Sequence, residues 1–326
     1  SNTTASYSVA IGHEALKTST TGHKNTAVGY ETLKANTTGH QNTALGYQAL
    51  NAATTALYNT AIGVRAMATG SGAGGFNVAV GMEAGMALTN GSNVAVGAYA
   101  MYGTTSAEYC VAIGKEAMMG AKTGNHNIAI GLDAFKTAGD GASNVAIGTR
   151  ALTLATSGNY NTAVGYQAGK SLTTGHSNIA IGYNTLDAAT TAYQNVCIGN
   201  AAGGAITTSS AIWNVLIGTS AGQDITTAAS NVAIGHQTLD SVTTGVENTA
   251  IGRETGRSLT TGRNNIIIGA TAEPTSATVN YECTIGDNST NRFRIPGVNF
   301  DLKDTTATED YVLTVDANGR CGWEAA

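Results

Sequence analysis

Little in this 326-residue sequence would staple, span or strongly charge a fold. Its four cysteines, Cys110, Cys197, Cys283 and Cys321, stand at least 38 residues apart, so neither a disulfide framework nor a paired metal ribbon is expected. Aromatics make up 6% and charged residues 11% of the chain, with a formal net charge of −5. Lys and Arg are scattered singly and form no basic stripe, which argues against nucleic acid as a partner. No apolar run approaches the roughly 20 residues that a membrane helix needs, and membrane insertion is not expected. No secretory leader opens the sequence, and an attachment region upstream is expected. Disorder usually accompanies high net charge and few β-branched residues. Here 42 glycines accompany abundant Ala, Thr and Asn, and the chain reads as ordered.

What is present is a repeat. The stretch Asn25–Gln41, NTAVGYETLKANTTGHQ, returns in looser forms from Ser8 to Gly286. Aligning units on their glycine yields Gly12, Gly29, Gly46 and so on to Gly286, seventeen in all. Thirteen of the sixteen spacings are 17 residues; the exceptions are an 18 ending at Gly81, a 16 ending at Gly97 and a 19 ending at Gly218. A repeat of this extent makes a single elongated body, so residues 1–286 are expected to form one repeat shaft and 287–326 a separate C-terminal β segment.

Numbering each unit from its Asn, the second position is Val, Ile or Thr except at Cys283, and the fourth is always Val, Ile or Leu. The third is Ala in thirteen units. Such alternation predicts one short strand per unit. Seventeen residues are too few for a strand with a packed helix, and a parallel β-solenoid of about seventeen coils fits best. The β-branched second and fourth positions are expected to face the core. The Ala column would then point outward, where a run of small apolar side chains suggests contact with another chain and three-fold association.

Positions nine and twelve trade volume. Where the ninth is Gly85, Gly169, Gly203, Gly222 or Gly256, the twelfth is Leu88, Leu172, Ile206, Ile225 or Leu259. Where the ninth is large, as at Leu33 or Leu152, the twelfth is small, with Val242 the one exception. Two positions behaving this way fill one core pocket per coil. The fifth-position Gly marks a turn with positive φ or close backbone approach, and Thr-Thr-Gly at thirteen to fifteen marks a second. Fourteen first positions are Asn, which predicts an amide ladder along the stack. Cys110, Cys197 and Cys283 occupy repeat positions as small hydrophobes.

The units Asn42–Leu50 and Asn161–Gly175 resemble the 17-residue repeats of bacteriophage tail-fibre proteins that carry a C-terminal intramolecular chaperone. The Asn-Val-Ala-Ile-Gly form at Asn144–Gly148 and Asn231–Gly235 is also similar to head repeats of trimeric autotransporter adhesins. Both resemblances imply a homotrimer of parallel β-rolls that binds at a cell surface. Arg292–Gly297, Tyr311–Asp316 and Gly322–Glu324 resemble the segment preceding the chaperone of tail fibres, which implies a chaperone domain after residue 326. The resemblance thus implies a virion tail fibre whose receptor is a bacterial surface glycan or protein, with a bacterial cell-surface adhesin head as the alternative.

Three kinds of chemistry compete with that expectation. The seventh position collects Glu14, Glu31, Glu83, Glu116, Asp133 and Glu254, and a glycosidase would need such a carboxylate pair. The same column also holds Gln48, Arg65, Arg150, Gln167 and Gln237, the composition of a solvated face, and no enzymatic activity is expected. His23 and His40 would lie one above the other, but a third metal ligand is not evident; no metal or cofactor is expected. Thr-rich solenoids can bind ice, though Thr-Thr offers one outward hydroxyl per coil. Exposed aromatics at the last position offer receptor contacts, with Trp213, Tyr58 and Tyr160 as candidates. Trp213 is singled out because its 19-residue unit should form a bulging loop.

Overall fold

The computed structural model describes residues 6–70, 74–120, 123–137, 139–290, 311–315 and 321–325, with side chains up to residue 290. Among these residues there is no helix, and the chain is an all-β parallel solenoid. Each unit contributes one three-residue strand, from β1 (Val9–Ile11) and β2 (Thr26–Val28) to β17 (Cys283–Ile285). Every strand pairs in parallel with the next at matching repeat positions, as in Val9 with Thr26, Ala10 with Ala27 and Ile11 with Val28. The spacings of 18 and 19 residues do not break this register, since Thr60 pairs with Val78 and Val196 with Val215. Sixteen inter-strand steps of about 4.8 Å make the stack roughly 77 Å long. Contacts divide the chain into a unit ending at Asn288 and a second, Ser289–Ala326, in which β18 (Tyr311–Val315) pairs antiparallel with β19 (Cys321–Ala325). Arg292–Gly297 and Asp316 lie outside the described residues.

The strand faces are reversed from the sequence expectation. The third-position Ala is buried in every Ala-bearing strand from Ala27 to Ala250, apart from the terminal Ala10, while no second- or fourth-position side chain is buried. The interior is too narrow for two layers of β-branched side chains. It takes a small residue from the strand and one large side chain from the opposite wall. Leu33, Leu50, Met101, Met118, Phe135 and Leu152 supply that large group from position nine, and Leu88, Leu172, Ile206 and Ile225 from position twelve, all essentially fully buried. A Cβ on Gly85 would sit 2.7 Å from Leu88 Cδ1, and one on Gly169 would sit 3.0 Å from both Leu152 and Leu172. The volume trade is therefore real, and the third column joins it. Where Leu216 replaces Ala, Gly222 lies opposite and a Cβ there would meet Leu216 at 2.8 Å.

Turns follow from backbone conformation. The fifth-position glycines run at φ from 125 to 139° as far as Gly269, with their Cβ direction blocked by the next coil; on Gly165 a Cβ would lie 2.2 Å from Gly182 O. Both grounds for glycine apply there at once. Positions seven, nine and seventeen are also left-handed, as at Glu31 (φ 52°), Leu33 (φ 48°) and Gln41 (φ 59°), with glycine at the ninth in five coils. Each costs on the order of 1 kcal/mol, and each donates its N–H to an adjacent coil: Glu31 to His13 O at 2.8 Å, Leu33 to Ala49 O at 3.0 Å and Gln41 to His23 O at 3.1 Å. Kinks at every other residue through this corner let so short a coil close.

The Asn column forms the ladder. Asn42 donates its backbone N–H to Asn25 Oδ1 at 3.0 Å and its Nδ2 to Ala56 O at 2.7 Å, spanning the coil interior. The pattern repeats at Asn144, Asn161 and Asn178. Cys110 interrupts it. The Cys110 Sγ accepts from Asn127 N at 3.4 Å and reaches Gly124 O at 3.4 Å, a weaker copy of the amide. Cys110 and Cys197 are free and buried, while Cys283 is free and exposed; burial pushes the Cys197 thiol up to about 12.

Candidate functional site

With Ala turned inward, the outward strand face carries positions two and four, and position six follows in the glycine turn. Position four is Val, Ile or Leu in all seventeen coils, and position six adds Tyr30, Tyr47, Val64, Met82, Leu132, Tyr166 and Tyr183. Ile113, Ile147, Ile181, Ile234, Ile251 and Ile268 each leave at least a third of their surface open. The stripe runs the length of the stack, with the fourth-position side chain half-buried or exposed in every coil, and a contiguous apolar surface of this extent marks an interaction site. Tyr30 stacks between His13 and Tyr47, with ring centroids 5.1 and 5.3 Å away. Tyr166 and Tyr183 stack at 5.2 Å.

The last-position residues form a second, narrower column at a left-handed corner. Tyr58 (φ 56°), Tyr160 (φ 58°) and Trp213 (φ 59°) all lie on it, and all are exposed. The structure does not bring them together: six coils, or about 29 Å, separate Tyr58 from Tyr160, and three coils, about 14 Å, separate Tyr160 from Trp213. Tyr58 stacks on Phe76 at 4.8 Å and makes a T-shaped contact with His40 at 5.7 Å. Trp213 donates Nε1–H to Gln194 Oε1 at 2.9 Å, one coil away.

The two added residues of the 19-residue coil fall before Trp213. Thr207, Thr208, Ser209 and Ser210 are exposed, but Ala211 is buried and its carbonyl accepts from Asn195 Nδ2 at 2.8 Å. The ladder contact at Ala211 pulls the chain back into register before Trp213, which therefore stands on the regular column and not on a loop. Of the 18-residue coil, residues 71–73 lie outside the described residues.

The acidic seventh column pairs with the tenth. Lys34 Nζ bridges Glu14 at 2.6 Å and Glu31 at 2.7 Å, and Lys136 bridges Glu116 and Asp133. Arg65 reaches Glu83 one coil away at 2.8 Å. Hydrogen bonds from Lys17 and then Lys34 bring the Glu14 carboxyl down to about 2, and bonds from Lys34 and Gln48 lower Glu31. Carboxyls held this way stay ionised, whereas a general acid needs a raised value. His23 and His40 stack ring on ring at 4.7 Å. Among the described residues no three His, Cys, Asp or Glu side chains gather as a metal site, and no helix is long and apolar enough to cross a membrane. The thirteenth-position Thr hydroxyls are spent on the stack, as Thr20 to Thr37 O at 3.0 Å and Thr173 to Thr190 O at 3.0 Å, leaving only the fourteenth to face outward.

The outward stripe was misread from sequence because alternation fixes which residues share a face, not which face is inside. The one signal that could have found it was the substitution of Leu216 and Ile267 for Ala beside or below glycines at position nine. No family model matches the chain, and no curated protein matches it either.

Proposed function

We propose that this chain is the repeat shaft of a homotrimeric fibre that attaches to a bacterial surface, acting by adhesion and not by catalysis. The observation that carries the reading is the outward apolar stripe, which position four supplies in every coil and apolar residues at positions two and six widen in many. Its occupant is a second and third copy of the same chain, because only a partner with the same 17-residue period and the same rise per coil stays in register over some 77 Å. The likeness of the repeats to phage tail fibres favours three copies and a virion location. A cell-surface adhesin head remains the alternative, since it would use the same stripe. The acids held in ion pairs with Lys and Arg support a structural role for the seventh column.

Light scattering of the native chain tests the assembly. A mass near three times 32.9 kDa is expected. A monomer would overturn the trimer and leave the stripe without its occupant. Attachment is tested separately, by binding of the fluorescently labelled chain to whole bacterial cells; failure across a broad panel of strains would overturn that part.

A further inference from the structure

The last-position column has a gap in its aromatic ladder. Tyr58 and Phe76 stack at 4.8 Å, Tyr109 and His126 stack at 5.2 Å, and between the two pairs stands Ser92. Phe76 and Tyr109 are 65% and 58% exposed, so each ring keeps one face uncovered. Two coil steps of about 5 Å put these rings roughly 10 Å apart. The gap opens into a cleft of about 360 Å³ whose lining includes Phe76, Asn90, Ser92, Glu108 and Tyr109.

The repeat spacing is irregular at this cleft. One more residue than usual separates Gly70 from Gly74, and the next coil, ending in Ser92, is one residue short at the same corner. Asn90 takes the place of the fifteenth residue there, its carbonyl accepting from Asn77 Nδ2 at 3.0 Å. The shortened coil keeps Ser92 on the column between Phe76 and Tyr109.

We propose that this cleft binds one hexopyranose ring of a neutral or amino-bearing glycan, sandwiched between Phe76 and Tyr109. Carbon contacts of about 3.5–4.0 Å suit a flat ring to walls some 7–8 Å apart; a puckered sugar chair is thicker and fits the wider gap. The Ser92 hydroxyl and the Glu108 carboxylate make no hydrogen bond to other described residues and edge the cleft, where they accept from or donate to sugar hydroxyls. Glu108 and the net charge of −5 disfavour an acidic sugar. The site names the ligand class for the attachment reading, and its biological role rests on that reading, but binding is a property of the chain itself.

Saturation-transfer NMR on the full chain tests it, with methyl α-glucopyranoside, methyl β-galactopyranoside, methyl N-acetyl-β-glucosaminide, methyl β-glucosaminide, sialic acid and adenosine as probes. Transfer to at least one neutral or amino glycoside is expected. Ser92→Tyr should weaken it at least tenfold by filling the gap, and the coil should accept this change because Tyr58, Tyr109 and Tyr160 occupy the same column with φ of 56–58°. Tyr109→Ser should weaken it similarly, on a column where Ser143 and Ser177 already stand at φ 58°. Ser143→Tyr, three coils along, should leave it unchanged. No transfer to any neutral or amino sugar, transfer indifferent to both Ser92→Tyr and Tyr109→Ser, or preference for adenosine or sialic acid would overturn the proposal. Sugar binding by a monomeric chain would leave the cleft standing and remove the trimer; a cell-binding trimer with no sugar binding would do the reverse.

Discussion

At the scale of single residues, the Asn ladder shows how one polar side chain stabilises a narrow core. Asn161 accepts from Asn178 N at 3.0 Å through Oδ1 and donates through Nδ2 to Gly175 O at 2.8 Å, all of it buried. Replacing it by Leu would strand the Asn178 N–H and the Gly175 carbonyl, at about 1–3 kcal/mol for each unsatisfied group. Denaturant unfolding of Asn161→Leu should therefore show a loss of roughly 3 kcal/mol or more. The opposite change is available at Cys110. Cys110→Asn should complete the ladder and raise stability by about 1 kcal/mol, read as a higher denaturation midpoint at unchanged slope. A lower midpoint would mean that the thiol fits its site better than an amide.

At the scale of one coil, volume and charge each make a separate prediction. Leu152 and Ala155 are both buried, and coils with the reverse choice exist at Gly169 and Leu172. Leu152→Gly alone should cost about 3–5 kcal/mol through the cavity left behind, and adding Ala155→Leu should restore most of that, measured by thermal unfolding. Failure of the second change to rescue the first would break the shared-pocket account. For the ion pairs, the Glu14 carboxyl is lowered in the folded chain to about 2 from an ordinary 4.5 by Lys17 and Lys34. Its contribution is therefore complete above pH 4.5 and is lost as pH falls toward 2. Glu14→Gln should narrow its stability gap to the parent chain over that window. The effect should be small, because exposed pairs are screened.

At the scale of the whole molecule, the inverted strand faces change what a surface substitution does. Were positions two and four interior, Ile147→Asp would break the coil. Ile147 and Ile181 are instead more than a third exposed, so the double variant Ile147→Asp, Ile181→Asp should keep its β-type circular dichroism while its light-scattering mass falls to that of one chain. A retained trimer would place the interface on some other face. Loss of β structure in the monomer would show that the coils depend on assembly for their stability.

The period alone determined the architecture: seventeen residues, one short alternating strand and invariant turn glycines admit a parallel stack and little else. The Asn ladder and the trade between positions nine and twelve were equally legible, because a column repeated seventeen times exposes its own compensations. Two things were decided only in three dimensions. Which strand face lies inside depends on the width of the closed coil, and left-handed residues such as Leu33 and Gln41, whose side chains carry no conformational signature, set that width. The gap at Ser92 needed the stack as well. The 18- and 16-residue spacings were visible along the chain, but only parallel register brings the open faces of Phe76 and Tyr109 to either side of a serine.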